Sequence, residues 1–361
     1  MKAAVCRKFG APFEIEDVAL DPPSGNQLKV RIKACAICHS DIHLAGGEWG
    51  GALPAVYGHE AAGIVEEIGE QVRSVKAGDR VVVTLVRSCG SCPSCKQSNY
   101  GSCETRGPLD AQSPLRAATG GETIAQGLRT GAFAEYALVE ASQVVAIPDE
   151  FPFDRAALLA CGVITGFGAV ANTAKVPEGA SVVVIGTGGV GLNSVQGAAI
   201  CGAKTIIAID VSDAKLETAR QFGATHGFNP AKGDLRKQVK ALTDQRGADF
   251  VFVTVGAKEA ADQAYGLLAP SGTAVMVGLP ALGVKSEFDV LMFTITSQRI
   301  LGSTMGSSNI QTDIPKLIDL YRQGRLKLDE LITERYPLEE INEAIASAKR
   351  GEALRNVIVF P

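Results

Sequence analysis

The stretch that decides the fold is Ser181-Val-Val-Val-Ile-Gly-Thr-Gly-Gly-Val-Gly191, which continues into Leu192–Cys201. Its first five residues, Ser181–Ile185, are rich in β-branched side chains, as in a buried strand of a parallel sheet. The mostly apolar residues after Gly191 are typical of a buried helix. Between the two, three glycines have the G-x-G-x-x-G spacing that opens a dinucleotide-binding helix. The sequence therefore predicts a strand, a tight turn and a helix around a phosphate site.

Each glycine has a physical role in such a turn. Gly186 permits the tight turn, Gly188 the close approach of a pyrophosphate, and Gly191 the close contact of helix and strand. Gly189 and Val190 lie where the helix begins, and its free N–H groups attract phosphate. A glycine-rich turn without a ligand is the competing interpretation. We predict the dinucleotide site.

The next apolar run, Thr205–Ile209, ends at an acidic residue, Asp210. A carboxylate at this position accepts both ribose hydroxyls and repels a 2′-phosphate, so it favours NAD over NADP. Lys215 lies one helical turn into the following element and is placed to reach the same ribose. An exposed acidic residue without a ligand is the alternative.

Outward from this motif, strand and helix patterns alternate through the middle of the chain. The predicted strands are Ser181–Ile185, Thr205–Ile209, Phe250–Val255 and Thr273–Val277. The predicted helices are Asp213–Phe222, Leu235–Gln245 and Lys258–Leu268. This alternation implies an α/β fold with a doubly wound parallel sheet.

The flanking segments follow other patterns. Up to about residue 150, short β-type runs are separated by Gly, Pro and Asp. The runs are Leu28–Lys33, Ala62–Ile68, Arg80–Leu85 and Ala134–Val139. After about residue 300, two helical patterns and a last apolar run are predicted at Ile314–Gln323, Leu338–Arg350 and Asn356–Phe360.

Composition limits the classes of protein to which the chain can belong. The chain has 361 residues, 46% of them hydrophobic, which suggests two domains with real cores. A net charge of −4 gives no electrostatic footprint for nucleic acid or for an anionic membrane. No secretory pattern opens the chain. Two uncharged stretches, Ala156–Ala174 and Gly179–Ala203, are broken by glycines and polar residues, so we interpret them as buried core. We expect a soluble cytoplasmic protein with neither nucleic-acid nor membrane partners.

Nine cysteines, an odd number, exclude a fully paired disulfide framework. Four of them, Cys89, Cys92, Cys95 and Cys103, lie within fifteen residues, separated by Gly, Pro and Ser. Four thiolates close a tetrahedral shell around Zn²⁺ and leave no open position, so the predicted zinc is structural. An iron–sulfur cluster and four unliganded thiols are the alternatives.

A second possible metal site is dispersed along the chain. Cys38, His59 and Cys161 supply two thiolates and an imidazole, and Glu60 follows His59 directly. Three protein ligands with an open fourth position are typical of a catalytic zinc, which polarises an alcohol or carbonyl oxygen. Because the three residues lie far apart, spacing alone leaves open that Cys161 is a core residue and His59 a turn residue.

Taken together, these motifs resemble the zinc-dependent medium-chain alcohol dehydrogenases over nearly the whole chain. The resemblance is carried by the Gly58-His-Glu60 segment, the four-cysteine lobe, Cys161-Gly162, the glycine turn and Leu354–Phe360. It implies a GroES-like β domain, a Rossmann domain inserted before a C-terminal return segment, and an active site in the cleft between them. The expected boundaries are residues 1–162 and 304–361 for the GroES-like domain and 163–303 for the NAD-binding domain.

The resemblance also implies roles for individual residues in a zinc- and NAD-dependent alcohol dehydrogenase. Cys38, His59 and Cys161 match the catalytic zinc ligands, and Glu60 matches an acid that approaches the metal transiently. Asp41 matches the carboxylate that orients the zinc-binding histidine. Ser40 matches the hydroxyl that hydrogen-bonds the substrate alcohol, and His43 matches the far end of its proton relay.

Further positions match cofactor contacts of the family. His39 and Arg355 lie where members contact the phosphates, and Thr165 where they touch the nicotinamide. The residues that match the lining of the cofactor cleft are Val255, Val277 and Leu279.

The resemblance says least about the identity of the substrate. Trp49, Leu85 and Leu128 match positions of the family's substrate pocket, and their bulk and apolarity favour primary alcohols and aldehydes. Trp49 packing under a loop is the alternative. A related branch oxidises thiol adducts of formaldehyde, and Gly107–Thr130 is compatible with it. His43 argues against that branch, as does the lack of an Arg and Asp cluster around Gly46–Ala52.

Two further expectations concern assembly and class. By family habit the chain forms a homodimer or homotetramer through its Rossmann sheets, and the apolar segment Leu279–Arg299 is where that pairing would lie. A non-enzymatic dinucleotide sensor on the same scaffold would need a broken metal shell or relay, and each of those residues is present.

Overall fold

The computed structural model describes all 361 residues. The chain forms two compact units. The first contains Met1–Cys161, Asn309–Arg322 and Leu328–Pro361, and the second contains Gly162–Ser308 and Gln323–Lys327.

Eighteen strands and twelve α-helices make up these units, numbered here in chain order. The strands are β1 (Lys2–Cys6), β2 (Glu14–Leu20), β3 (Gln27–Ala36), β4 (Ala55–Val56), β5 (Glu60–Ile68), β6 (Arg80–Val83), β7 (Leu115–Ala117), β8 (Thr123–Gln126), β9 (Tyr136–Glu140), β10 (Val144–Ala146), β11 (Ser181–Ile185), β12 (Thr205–Ile209), β13 (His226–Phe228), β14 (Ala248–Val253), β15 (Leu268–Met276), β16 (Arg299–Gly302), β17 (Ile332–Tyr336) and β18 (Arg355–Val359). The helices are α1 (His39–Gly46), α2 (Pro93–Lys96), α3 (Pro108–Ala111), α4 (Phe153–Leu158), α5 (Ile164–Gly168), α6 (Gly189–Ile200), α7 (Asp213–Gln221), α8 (Leu235–Leu242), α9 (Lys258–Leu267), α10 (Val290–Ile295), α11 (Ile310–Arg322) and α12 (Ile341–Arg350).

The second unit is built on a six-stranded parallel sheet in the order β13-β12-β11-β14-β15-β16. Strands are added on one side of β11 and then on the other, so the order reverses between β11 and β14. Such a reversal is the point at which doubly wound sheets bind ligands at the carboxyl ends of their strands. The predicted α/β fold with a doubly wound sheet is confirmed.

Strand and helix boundaries in this unit have local causes. The strands at Ser181–Ile185 and Thr205–Ile209 have the predicted bounds. The strand predicted at Phe250–Val255 instead spans Ala248–Val253, and the hydroxyl of Thr254 directly after it donates to the carbonyl of Gly186 at 2.7 Å. Helix α8 begins after Asp234, whose carboxylate accepts the backbone N–H of Lys237 as an N-cap.

The first unit contains a closed barrel of β1, β2, β7, β8 and β4, and a seven-stranded sheet in which β3 pairs with β5, β9 and β18. The C-terminal strand runs antiparallel to β3, with Val357 opposite Ala36. The C-terminal strand thus completes a sheet whose first strand in the chain is β3.

One continuous helical segment, Phe153–Ala174, contains α4 and α5. A wider π-helical turn follows each of them, at Leu159–Val163 and at Ala169–Ala174. The segment is long and apolar enough to cross a membrane, but 83% of its apolar window is buried inside the protein. That burial is typical of a core helix. π-Helical turns occur often at functional sites, and Cys161 lies in the first of these.

Candidate active site and metal centres

Four buried side chains of the first unit converge in one place. The ligand atoms of Cys38, His59, Glu60 and Cys161 all lie within 4.8 Å of one another. Cys38 and Cys161 are each 7% exposed, and His59 and Glu60 are fully buried. The four residues that sequence reasoning grouped from distant positions therefore lie together.

Three local structures bring these residues together. Cys38 ends the chain segment after β3 and is the N-cap of α1, and Cys161 lies in the π-helical turn after α4. His59 follows Gly58, which has φ +92° and lies against the neighbouring chain so closely that a Cβ there would be 2.6 Å from the amide nitrogen of Phe133. A residue with a side chain at position 58 would displace the backbone that carries the histidine.

Asp41 fixes the orientation of the imidazole. Its Oδ1 atom is 3.0 Å from Nδ1 of His59 and accepts the backbone N–H of Gly58 at 2.9 Å. The other oxygen accepts the backbone N–H of Cys38 at 3.3 Å. Because the carboxylate holds Nδ1, the opposite ring nitrogen, Nε2, is the one directed to the cluster, and it is buried without a hydrogen-bond partner.

The chemistry of this donor set fits a divalent metal. The thiol of Cys161 donates to the sulfur of Cys38 and holds the pKa of Cys38 well below its usual range. Burial disfavours the charged form of His59, but the neighbouring Asp41 and Cys38 outweigh burial and raise the pKa of His59 to about 10. A metal ion bound here displaces that proton, because only the neutral imidazole is a ligand. Two thiolates and an orphaned imidazole nitrogen match the ligands that Zn²⁺ prefers.

Glu60 has a charged partner of its own. Its carboxylate forms an ion pair with the guanidinium of Arg355 on β18, and the two side chains are 0% and 6% exposed. A buried carboxylate near two sulfur ligands is thus held by a cation that the C-terminal strand supplies. The sequence analysis assigned each residue a separate role and did not predict the ion pair between them.

The four-cysteine lobe forms the second cluster. The sulfur atoms of Cys89, Cys92, Cys95 and Cys103 lie within 4.8 Å of one another. The hydroxyl of Thr105 donates to the sulfur of Cys89 at 3.1 Å, and with the backbone N–H groups around it lowers the pKa of Cys89 to about 5. Four sulfurs at this spacing, supported by N–H and O–H donors, suit a closed tetrahedral zinc site.

Helix α1 also carries the predicted relay residues. Ser40 and His43 are three residues apart, which places them on one face of the helix. Nδ1 of His43 is 2.7 Å from Oε2 of Glu48, and its ring stacks on Trp49 with centroids 5.1 Å apart. Sequence reasoning missed Glu48, whose contact with His43 depends on the turn after α1. The position of an acid five residues after the histidine was the available clue.

The glycine turn of the second unit has the predicted form. Gly186 has φ +89°, and a Cβ at Gly191 would lie 1.8 Å from the carbonyl oxygen of Gly186. Gly188 is the N-cap of α6, and a Cβ there would meet no atom within 4 Å. The turn therefore leaves open space at Gly188, where a pyrophosphate would approach, and Gly189 and Val190 begin the helix beside it.

Asp210 lies at the end of β12 beside this turn. Its Oδ2 accepts the backbone N–H and the hydroxyl of Thr187 at 2.8 and 3.0 Å, and its Oδ1 accepts the N–H of Ser212 at 3.0 Å. These bonds fix the carboxylate at the carboxyl edge of the sheet. Lys215 follows shortly after Asp210 in the sequence, lies in the first turn of α7 and is half-buried.

The remaining predicted site residues have the following places. In the second unit Thr165 is buried, and its hydroxyl lies 3.8 Å from the sulfur of Met305. Val277 is also buried, whereas Val255 is half-buried and Leu279 is 59% exposed. In the first unit His39 is exposed at the start of α1, and Trp49, Leu85 and Leu128 are half-buried.

Comparison with known proteins gives a consistent result. Residues 24–149 match the alcohol dehydrogenase GroES-like domain, and residues 189–323 match the zinc-binding dehydrogenase domain. The chain is 37% identical to an NDMA-dependent alcohol dehydrogenase of Amycolatopsis methanolica, over 99% of this chain and 98% of the relative. It is 36% identical to an alcohol dehydrogenase class-3 of Cereibacter sphaeroides, over 99% of each. The crystal structure of benzyl alcohol dehydrogenase from Acinetobacter calcoaceticus has a TM-score of 0.94 at 33% identity, covering 100% of this chain and 99% of that chain.

A doubly wound parallel sheet and a GroES-like unit define the class as a medium-chain dehydrogenase, and the predicted GroES-like domain is confirmed. Within that class the chain belongs to the zinc-dependent medium-chain alcohol dehydrogenase family. It is an oxidoreductase that acts on small molecules.

Proposed function

We propose that the protein is a zinc- and NAD-dependent alcohol dehydrogenase that reversibly oxidises primary alcohols to aldehydes. The observation that carries this proposal is the buried cluster of Cys38, His59 and Cys161, with Asp41 holding the histidine. Two thiolates and one imidazole leave a fourth position for a substrate oxygen. A zinc ion bound there acts as a Lewis acid and makes the alcohol a stronger acid.

The chain's own residues manage the proton. Ser40 would accept a hydrogen bond from the substrate hydroxyl, take its proton and release its own hydroxyl proton, and His43 would receive a proton at the outer end of this relay. Glu48 holds Nδ1 of His43 at 2.7 Å, so Nε2 is left for the incoming proton. Glu60 is paired with Arg355, and its carboxylate would be the acid that can approach a bound metal transiently.

The four cysteines of the second cluster hold the structural zinc. Their sulfurs already lie within 4.8 Å of one another, and four protein ligands leave no position for substrate. Two zinc ions per chain are the expected content.

NAD is the proposed hydride acceptor. The fixed carboxylate of Asp210 accepts the ribose hydroxyls and repels a 2′-phosphate, and Lys215 assists it. The phosphates bind at the glycine turn and the start of α6, with His39 and Arg355 as further contacts. The residues assigned to the nicotinamide and its cleft are Thr165, Val255, Val277 and Leu279.

Trp49, Leu85 and Leu128 are the proposed pocket residues, and all three are half-buried. Their apolar side chains favour alcohols with an apolar tail. The similarity to a benzyl alcohol dehydrogenase supports testing aromatic primary alcohols first.

A homo-oligomer formed through the second unit is the proposed assembly, in the cytoplasm. Six apolar side chains of one segment are 41–75% exposed: Leu279, Leu282, Phe288, Val290, Leu291 and Ile295. They lie near β16, the last strand of the six-stranded sheet, whose outer edge has no neighbouring strand within the chain. An apolar patch beside an open sheet edge is the kind of surface that a second copy covers.

The test is a panel of primary, secondary, aromatic and long-chain alcohols with NAD and with NADP, run beside a metal count. Two zincs per chain, an NAD preference and faster turnover of primary alcohols are expected. Activity with formaldehyde that requires glutathione would identify the thiol-dependent branch instead. Oxidation that needs NDMA and no added NAD would contradict NAD as the exchangeable acceptor.

A further inference from the structure

The buried arginine Arg87 has no role in the site described so far. Its side chain is 6% exposed, and it lies two residues after Leu85 and two before Cys89. All three nitrogens of the guanidinium have a polar neighbour. Nε donates to Oε1 of Gln143 at 2.9 Å, Nη2 donates to the carbonyl of Arg129 at 3.0 Å, and Nη1 lies 2.9 Å from a carboxylate oxygen of Asp110.

Gln143 is fully buried, and its side-chain amide also donates hydrogen bonds to backbone carbonyls. Its Nε2 donates to the carbonyl of Thr84 at 2.9 Å and to the carbonyl of Arg129 at 3.1 Å. Thr84 precedes Leu85, and Arg129 follows Leu128. One side-chain amide thus joins the two backbone segments that carry the two leucines.

The segment around Leu128 needs such support, because its backbone is strained. Leu128 has φ 48° and ψ 38°, and Arg129 has φ 60°, in the left-handed region that residues other than glycine rarely adopt. The Leu128 carbonyl accepts the hydroxyl of Thr130 at 3.1 Å. Strained backbone of this kind persists only where its surroundings over-determine it, and it is common beside ligands.

The charges around Arg87 are balanced within the network. Asp110 lies 2.9 Å from Arg87 and 3.1 Å from Nε of Arg129, and it accepts the backbone N–H of Gly107 at 2.8 Å. Glu140 is a second acid close by, and burial raises its pKa. A buried guanidinium that is paired with a carboxylate and hydrogen-bonded through Nε and Nη2 holds its position, which a flexible surface arginine does not.

We propose that Arg87 and Gln143 form a clamp that fixes the separation of the Leu85 and Leu128 segments and so determines which alcohols the pocket accepts. The inference rests on the proposed function, which places both leucines in that pocket. Neither clamp residue touches substrate. They are positioning residues that act through the backbone at Thr84 and Arg129.

The decisive variant is Arg87→Met, which keeps most of the side-chain length and removes the guanidinium. The strained turn then loses a donor to the Arg129 carbonyl, and the Leu128 side chain is no longer held at a fixed distance from Leu85. We expect the ratio of kcat/KM between the best alcohol of the panel and its next shorter homologue to fall about tenfold, mainly through KM. The Kd for NAD stays at the wild-type value.

Arg80→Met is the matched control. Arg80 is a partly buried arginine of the same unit that donates to the carbonyl of Phe151 at 2.7 Å and lies over the ring of Phe153 at 3.7 Å. Arg80→Met removes comparable contacts from a region that carries no predicted pocket residue. The ratio of kcat/KM between the two alcohols should therefore stay unchanged. Arg87→Lys keeps the charge beside Asp110 without the planar fork and restores the ratio in part.

If Arg87→Met does not fold, Arg87→Lys and Gln143→Met carry the test, since each removes only part of the clamp. An unchanged alcohol ratio in these variants, with wild-type turnover intact, would overturn the clamp alone. An equal loss for every alcohol would also overturn it, because a merely structural residue has that effect. Absence of alcohol turnover in the wild-type enzyme would overturn the proposed function first.

Discussion

At the scale of single residues, two faces of α1 carry side chains with different proposed roles at the metal site. Asp41 is buried and faces His59, whereas Ser40 and His43 lie on another face of α1. In the proposed mechanism the helix therefore orients the ligand His59 with one side and supplies proton-transfer groups with the other. Changes to neighbouring residues of this helix should have separable effects.

Ser40→Ala removes the hydroxyl that is proposed to take the substrate proton. We expect kcat for alcohol oxidation to fall about 10²–10⁴-fold, the usual contribution of a positioned proton-transfer group, with little change in the Kd for NAD. Steady-state kinetics and cofactor titration measure the two effects. Ser74→Ala, an exposed serine of the same unit, is the control. A Ser40→Ala enzyme with unchanged turnover would remove Ser40 from the relay.

Asp41→Asn weakens the hold on His59. An amide accepts the imidazole N–H less well than a carboxylate, so metal affinity should fall about 10–100-fold. Competition with a chelator, followed by a metal count, measures this loss independently of activity. Asp79→Asn serves as the control, because Asp79 accepts a backbone N–H from Lys76 at 2.9 Å away from the cluster. Equal zinc retention in the two variants would contradict the role of Asp41.

At the scale of secondary structure, the strand–turn–helix around β11 and α6 explains why so much of the second unit was readable from sequence. Its strands are buried β-branched runs, and its glycines are required by backbone geometry: a Cβ at Gly191 would overlap the Gly186 carbonyl. Local rules of this kind act within a few residues. The predicted bounds of β11 and β12 were therefore correct.

Two glycines of this element should separate folding from cofactor binding. Gly188→Ala meets no atom within 4 Å, so the protein folds, but the new methyl group occupies the pyrophosphate path and NAD affinity falls at least about tenfold. Gly191→Ala places a Cβ 1.8 Å from the Gly186 carbonyl and should cost about 1–3 kcal/mol or more in folding free energy.

Thermal unfolding and NAD titration measure these two effects. Gly266→Ala, at an open position of α9, is the control and should be neutral or slightly stabilising. Tight NAD binding by folded Gly188→Ala would argue against the phosphate site.

What the sequence did not predict depends on distant pairing. The short strands β7, β8, β13 and β16 have three or four residues each and exist because a neighbouring strand pairs with them. The contact of Glu60 with Arg355 joins positions nearly 300 residues apart. The four-cysteine cluster was predicted from its spacing, whereas the grouping of Cys38, His59 and Cys161 stayed open until the resemblance supported it, since their separation along the chain carries no local pattern.

At the scale of the whole molecule, buried ion pairs and exposed apolar surface govern stability and assembly. Asp154 is 12% exposed and accepts from Arg335 and Arg155 at 2.7–3.0 Å. Burial alone would raise the pKa of Asp154, but the two guanidinium groups outweigh it and lower that pKa.

Asp154→Asn should lower the free energy of unfolding by about 1–2 kcal/mol at neutral pH. A depressed pKa stabilises the fold above the unfolded value near 4, and this contribution is lost as pH falls through the folded pKa. The difference from wild type should therefore shrink below about pH 4 in denaturant titrations. Asp17→Asn, whose carboxylate is 65% exposed, should show almost no difference at either pH. A pH-independent gap for Asp154→Asn would contradict the ion-pair explanation.

Leu291→Lys tests the proposed assembly. Leu291 is 68% exposed in the apolar patch, so a charge there should shift the protein towards monomer in sedimentation velocity without unfolding it. Val211→Lys, at a 78% exposed valine outside the patch, is the matched control. An unchanged sedimentation coefficient for Leu291→Lys would exclude this surface as the interface.

The C-terminal strand has a consequence for the order in which the polypeptide matures during translation. β18 pairs with β3, and its Arg355 neutralises Glu60. The ribosome must therefore deliver the whole second unit before the first can close its sheet. Most of the second unit, Gly162–Ser308, is one continuous segment that is free to fold while synthesis continues, whereas the first unit cannot close until its last strand is made. Until Arg355 emerges, the growing chain must keep the carboxylate of Glu60 hydrated, which favours late closure around the cluster of Cys38, His59 and Cys161.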